Sequence, residues 1–190
     1  KFFTLILLLL LGCDNTKIDD PKYKEGITDD LGVAFIFDSV PESVISLAPN
    51  LTEMIYKLDL GQKLIGNTVY CNYPDEAKDI EKVGDLLTIN YEKILELDPD
   101  LILLTVEGNT KEGYDRLKDL GFKVFVSNPR NFTGIEKTLT DFGEIFKRQN
   151  RADSVIEDWN AKINRVKKNV KANNNLSAMF LISLYPIMVA

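Results

Sequence analysis

Three short apolar runs, each followed by a loop and a helix-like segment, do most to limit the fold. They are Val44-Ile45-Ser46-Leu47, Leu101-Ile102-Leu103-Leu104 and Lys123-Val124-Phe125-Val126. Runs this short suit strands better than helices, and near-continuous apolarity suits strands covered on both faces. After the first run, Asn50 with Glu53 three residues on reads as a capping box, and Leu51, Met54, Ile55 and Leu58 give the helix one apolar face. Leu64-Ile65-Gly66 reads as another short strand. Residues 91–97 read as a helix capped by Asn90 and ended by Asp98-Pro99. Residues 113–120 form a further helix that stops at Gly121, and Thr133-Gly134-Ile135-Glu136 reads as a capping box for a helix to about Phe146. Such alternation predicts an α/β fold with a parallel sheet between helices. Ahead of it, the turn signal at 27–32 and the strand-like 33–37 predict a small hairpin.

Residues 151–171 differ. Ala152, Val155, Trp159, Ile163, Val166 and Val170 recur every three or four positions, which makes one apolar stripe on a helix. At 1.5 Å per residue that helix is about 30 Å long. It is either an ordinary surface helix or a spine. Asn173-Asn174-Asn175 breaks it, and 177–184 reads as a new strand before Tyr185-Pro186.

The first residues do not look like fold. Apart from Thr4, positions 2–11 are apolar, and Gly12-Cys13 follows. Spanning a bilayer takes about 20 apolar residues, so this run reads as a secretory signal. Leu10-Leu11-Gly12-Cys13 looks like a lipobox, in which Cys13 is acylated. The expectation is a signal peptide over 1–12 and a lipidated tether over 13–27. The competing reading is a plain signal or short anchor with an incidental cysteine.

The 190 residues contain no histidine. That removes Ser-His and Cys-His catalytic pairs and histidine-ligated zinc or haem. Two cysteines are too few for a cysteine-rich metal site, so neither a metal nor a resident cofactor is expected. A net charge of −6 without a basic block argues against nucleic acid as a partner.

Three stretches together resemble one family: 44–53, containing Pro49-Asn50-Leu51-Thr52-Glu53; Tyr70-Cys71-Asn72-Tyr73-Pro74; and 91–104, containing Glu92-Lys93-Ile94 and Asp98-Pro99-Asp100. They are similar to the substrate-binding lipoproteins of bacterial ABC importers for iron-siderophores and vitamin B12. These are class III periplasmic-binding proteins of the helical-backbone metal receptor superfamily. The resemblance runs from Thr28 to the last residue. It implies a Rossmann-like N-terminal lobe with a parallel sheet over 28–150, a long connecting backbone helix over 151–172, and the start of a truncated second α/β lobe over 177–190. On that reading the chain is a fragment. The resemblance also implies a lipid-anchored monomer on the periplasmic or cell-surface side of the membrane. It would capture cobalamin or a ferric siderophore and pass it to an ABC permease and, through it, the ATPase subunit. Glu92 matches a glutamate that docks on the permease. Complementing the helix dipole is the other reading of Glu92, and the two are compatible.

Ligands of parallel sheets bind in loops at the carboxyl ends of the strands. That nominates 48–50, 67–71, 84–86, 105–109 and 127–130, and within them Asn50, Tyr70, Cys71, Leu86, Thr105, Val106 and Arg130. Tyr70 offers a flat apolar face and a hydroxyl, which suit a planar macrocycle such as a corrin, or else it packs its own loop. The Arg130 fork suits carboxylate or catecholate oxygens, against the reading of a solvated surface arginine. Cys71 is either a cleft residue or a small buried hydrophobe. Glu107 and Asp85 read as solvated loop carboxylates. Three rivals stand beside the receptor, one of them a fragment with only a structural or residual interaction role. Another is a metal-ion or other small-solute receptor of the same fold, of which the metal-ion form would normally need histidines. A Rossmann-like enzyme would need a GxGxxG, a Walker A or a triad, and none occurs here.

Overall fold

The computed structural model describes residues 26–170, 181–184 and 187–189, the last two segments as strands only. The expected signal peptide, Cys13 and nearly all of the expected tether lie outside the described residues. A small hairpin comes first: β1 (Ile27–Thr28) pairs antiparallel with β2 (Ala34–Phe35). Next come β3 (Val44–Ser46), α1 (Pro49–Lys57), β4 (Leu64–Asn67), α2 (Tyr91–Leu97), β5 (Leu101–Thr105), α3 (Lys111–Asp119), β6 (Val124–Ser127) and α4 (Phe132–Ile145). The long helix α5 (Gln149–Asn169) follows.

The sheet has the order β4-β3-β5-β6 and every pairing is parallel. Side chains alternate across it as the strand period requires. Val44, Leu101, Leu103 and Phe125 face one way, into a core with Leu51 and Ile55 of α1, Phe142 of α4 and Val155 of α5. Ile45, Leu47, Ile102, Leu104 and Val126 face the other way, toward Ile94 of α2 and Leu117 of α3. Helices therefore cover both faces, which is why the strand sequences are continuously apolar.

Asp100 fixes how β5 enters the sheet. Its carboxylate accepts from the backbone N–H of Glu42 at 2.8 Å and of Ser43 at 3.0 Å, and its own N–H donates to the Ser43 hydroxyl at 2.9 Å. Those two N–H donors hold the carboxyl below the usual range. The hairpin turn covers the outer edge of β6. Asp30 N–H donates to the Val126 carbonyl at 3.0 Å, and the buried Asp29 carboxylate accepts from Val126 N–H at 3.2 Å. An edge strand paired this way offers less backbone to another chain.

Two expected caps sit elsewhere. The first helix begins at Pro49 with extended Ala48 as its N-cap, so Asn50 lies inside the first turn and does not cap. Proline at N1 brings a helical φ and needs no partner for a missing N–H. The α4 cap is Asn131, whose side chain accepts from Gly134 N–H at 2.9 Å, and not Thr133. Thr110 caps α3 in the same way, starting that helix two residues before the expected Gly113. Asn90 caps α2 as expected.

The stripe on α5 is buried only at its start. Ala152 and Val155 are buried where α4 approaches closely, and a Cβ on Gly143 would stand 2.9 Å from the Ala152 methyl. Trp159 meets Phe132 at 6.2 Å between ring centroids. Val166 and Val170 are exposed. Beyond the helix, β7 (Leu181–Leu184) and β8 (Ile187–Val189) pair antiparallel, where one strand and a loop were expected. Residues 177–180, 185, 186 and 190 lie outside the described ones.

Candidate functional site

The chain runs from β3 to β4 on one side, then crosses to β5 on the other. The strand order therefore reverses between β3 and β5, where open parallel sheets bind ligands. Asn109 sits at this point. Its side-chain carbonyl accepts from Thr105 N–H at 3.1 Å, and its amide donates to the carbonyls of Leu47 at 3.2 Å and Leu86 at 3.3 Å. One side chain thus joins the ends of β3 and β5 to the 84–88 loop.

Other contacts connect the remaining loops. Val69 N–H donates to the Gly84 carbonyl at 3.0 Å. Gly84 has φ +120°, and a Cβ there would lie 2.1 Å from the Thr88 carbonyl oxygen, so the turn closes only around glycine. The loop after β4 is tied to α1 from below. Cys71 is 1% exposed, with its sulfur 3.2 Å from the hydroxyls of Thr52 and Thr68. Cys71 therefore faces the interior and does not line the cleft. Its role there is to hold down the loop whose neighbour, Tyr70, points out.

These loops expose apolar side chains among polar ones. Val69 is 54% exposed, Tyr70 55%, Leu87 75% and Val106 38%. Of the residues singled out from sequence, Tyr70, Val106 and Asn50 are exposed at the carboxyl ends of the strands. Leu86 is half-buried and packs against the core under its neighbour, and Thr105 is 7% exposed. Val69 and Asn109 lie within the nominated loops without having been singled out, and Leu87 falls one residue outside them. A Leu-Leu pair gives no signal for which member faces out, and the Asn109 bonds reach residues 23 and 62 positions away.

The charges also differ from expectation. Arg130, the one cation in these loops among the described residues, pairs with Glu107 across the ends of β6 and β5. Both side chains stay more than half exposed, but they are paired. Asp85 accepts within its own loop from Thr88 N–H at 2.6 Å and Leu87 N–H at 2.8 Å, which lowers its pKa. Glu92 stands exposed in the first turn of α2, beside a groove lined by Tyr91, Leu95, Arg116 and Leu120. No group of three or more Cys, Asp and Glu among the described residues could hold a metal ion.

A family model described as periplasmic binding protein matches residues 44–190. The chain belongs to the periplasmic binding protein family. A vitamin B12-binding protein of Yersinia pestis (strain Pestoides F) is 36% identical over 126 residues, covering 66% of this chain and 45% of that relative. A crystal structure of the periplasmic vitamin B12 binding protein BtuF of Vibrio cholerae superposes with a TM-score of 0.72 at 30% identity. That match covers 78% of this chain and 58% of the other. The apo form of RhuT, a periplasmic heme-binding protein from Roseiflexus sp. RS-1, shares the fold with a TM-score of 0.68 at 18% identity, over 78% of this chain and 59% of that one. The chain spans about half the length of the curated relatives it matches.

The relatives that the chain matches are named for binding. The family match starts at β3 and takes in the whole parallel sheet, so the hairpin β1–β2 lies ahead of it. No helix among the described residues is long and apolar enough to cross a membrane.

Proposed function

We propose that this chain is the solute-capturing component of an ABC importer, anchored through a lipid on Cys13, and that it carries cobalamin or a ferric siderophore to the membrane permease. In this reading 28–150 is the first lobe, 151–172 the connecting helix and 177–190 the start of a second lobe. The observation that supports it best is the apolar lip of Val69, Tyr70, Leu87 and Val106 at the carboxyl ends of the strands. Exposed apolar side chains grouped on otherwise polar loops mark a contact surface. A flat macrocycle covers such a lip with little need for charge. The names of the relatives add support, since vitamin B12 is built on a roughly planar corrin macrocycle.

The mechanism is capture and release, without a covalent step. The Asn109 bonds and the buried Cys71 cluster hold the loops before ligand arrives, so less ordering entropy is lost on binding. Glu92 is then free to meet a cation on the permease while the lip holds cargo. A metal-ion receptor of the same fold is less well supported, because the chain lacks histidine.

Titration calorimetry of the chain with cyanocobalamin and with a ferric siderophore tests the ligand class. Saturable binding of either is expected. Binding of an oligopeptide or a sugar, with neither of those, would overturn it.

A further inference from the structure

A charge pattern on the lip sorts the ligand classes that capture leaves open. Arg130 is the one cation in the five loops among the described residues, and its guanidinium is engaged by Glu107. Both side chains are more than half exposed, at 61% and 62%. The pair sits on the loops after β6 and β5, at the end of the sheet that a bound ligand covers in the solute-capture reading. The remaining charge in these loops is the Asp85 carboxylate. Together Asp85, Glu107 and Arg130 leave the lip with one net negative charge, around the apolar Val69, Tyr70, Leu87 and Val106.

We propose that Glu107 is a specificity residue: it occupies Arg130 and leaves the binding lip selective for uncharged or cationic ligands over polyanions. This rests on the solute-capture reading and narrows it. A surface ion pair of this kind contributes little to stability. Its effect differs when a ligand covers it, because like charges brought together at a desolvated contact repel strongly. A trianionic ferric tris-catecholate would meet Glu107 and Asp85 with no free cation to offset them. A corrinoid such as cyanocobalamin, without net charge, meets no such penalty. Specificity obtained by rejecting a competitor needs only one such repulsive group.

The pair joins neighbouring strands, which limits what replacement does. Arg130 follows β6 and Glu107 follows β5, and the loops have other ties at Asn109 and Asp30. Glu107→Gln keeps the size of the side chain, removes one negative charge and frees the guanidinium.

The test measures binding of cyanocobalamin and of a ferric hexadentate tris-catecholate to the chain, to Glu107→Gln and to Glu107→Gln/Arg130→Gln. The single variant is expected to bind the trianion at least about tenfold more tightly than the unaltered chain, a gain larger than any change in its cyanocobalamin affinity. The double variant should lose that gain, which assigns it to the released guanidinium. Should the single variant gain trianion binding while cyanocobalamin binds to none of the proteins, the charge selection stands and the corrinoid reading falls. If trianion affinity in Glu107→Gln equals that of the unaltered chain, or the gain survives in the double variant, the proposal is overturned, however cyanocobalamin behaves.

Discussion

The hydroxyl of Thr52 and the sulfur of Cys71 lie 3.2 Å apart in the interior, joining the first turn of α1 to the loop after β4. The same hydroxyl is 2.8 Å from Ser46 Oγ, at the end of β3. A thiol in this setting packs as a small apolar group and makes weak hydrogen bonds. Cys71 should therefore resist iodoacetamide in the native chain and react once the chain is unfolded in urea. Cys71→Ala should cost about 1–2 kcal/mol in urea unfolding, from the lost sulfur volume and weakened bonds. Native-state alkylation at the unfolded rate would contradict the placement.

Gly84 has a φ of +120° with the Thr88 carbonyl closing on the place a Cβ would take. Gly84→Ala should destabilise by more than the roughly 1–2 kcal/mol of a positive φ alone, because backbone must also move. The turn carries Leu87, so ligand affinity should fall along with stability. A Gly84→Ala protein with an unchanged urea midpoint would show that the turn is looser than described.

Asp100 gives the fold an acid-sensitive joint. Its carboxyl is held low by the N–H groups of Glu42 and Ser43. For a carboxyl lowered in the folded state, the contribution is complete above the unfolded pKa, near 4, and is lost as pH falls through the folded value. Asp100→Ala should therefore lower the melting temperature at neutral pH, and the gap to the unaltered chain should close as the pH is brought below that range. A gap that stays constant with pH would mean that the clamp does not depend on ionisation.

Much of the fold was readable because burial on both faces writes itself into sequence. Val44 to Leu47 and Leu101 to Leu104 are apolar at nearly every position for that reason. Helix starts were less legible. Asn50 and Thr133 sit in good local patterns, yet the N-caps are Ala48 and Asn131, each two residues earlier. The stripe on α5 predicted a helix correctly, but its period could not say that only Ala152 and Val155 would be buried. The site was legible as a set of loops and not as contacts. The pairing of Glu107 with Arg130 depends on β5 lying beside β6, and the bonds of Asn109 depend on the crossover that brings Leu47 next to it. Both are consequences of topology.

Glu92 separates two physical accounts. Complementing the α2 dipole is worth about 0.3–1 kcal/mol, so on that account Glu92→Gln loses little stability and no uptake. If Glu92 docks on a permease cation, uptake by cells carrying the permease should fall while ligand affinity stays normal. Losing one member of a desolvated interface pair costs about 2–5 kcal/mol, well above the dipole contribution. A partial loss in Glu92→Gln and a larger one in Glu92→Arg is the expected order. Normal uptake in Glu92→Arg would rule out docking.

The most direct measurement is calorimetric titration of cyanocobalamin into the chain and into Tyr70→Ala. Tyr70 is more than half exposed on a loop held from beneath by Cys71, so removing its ring should leave the fold intact. The account predicts saturable binding to the unaltered chain and at least about a tenfold loss in the variant, as the loss of an aromatic contact of roughly 1.5 kcal/mol implies. The urea midpoint should not move. Equal affinity in the two proteins would contradict the central claim that this lip captures a flat macrocycle.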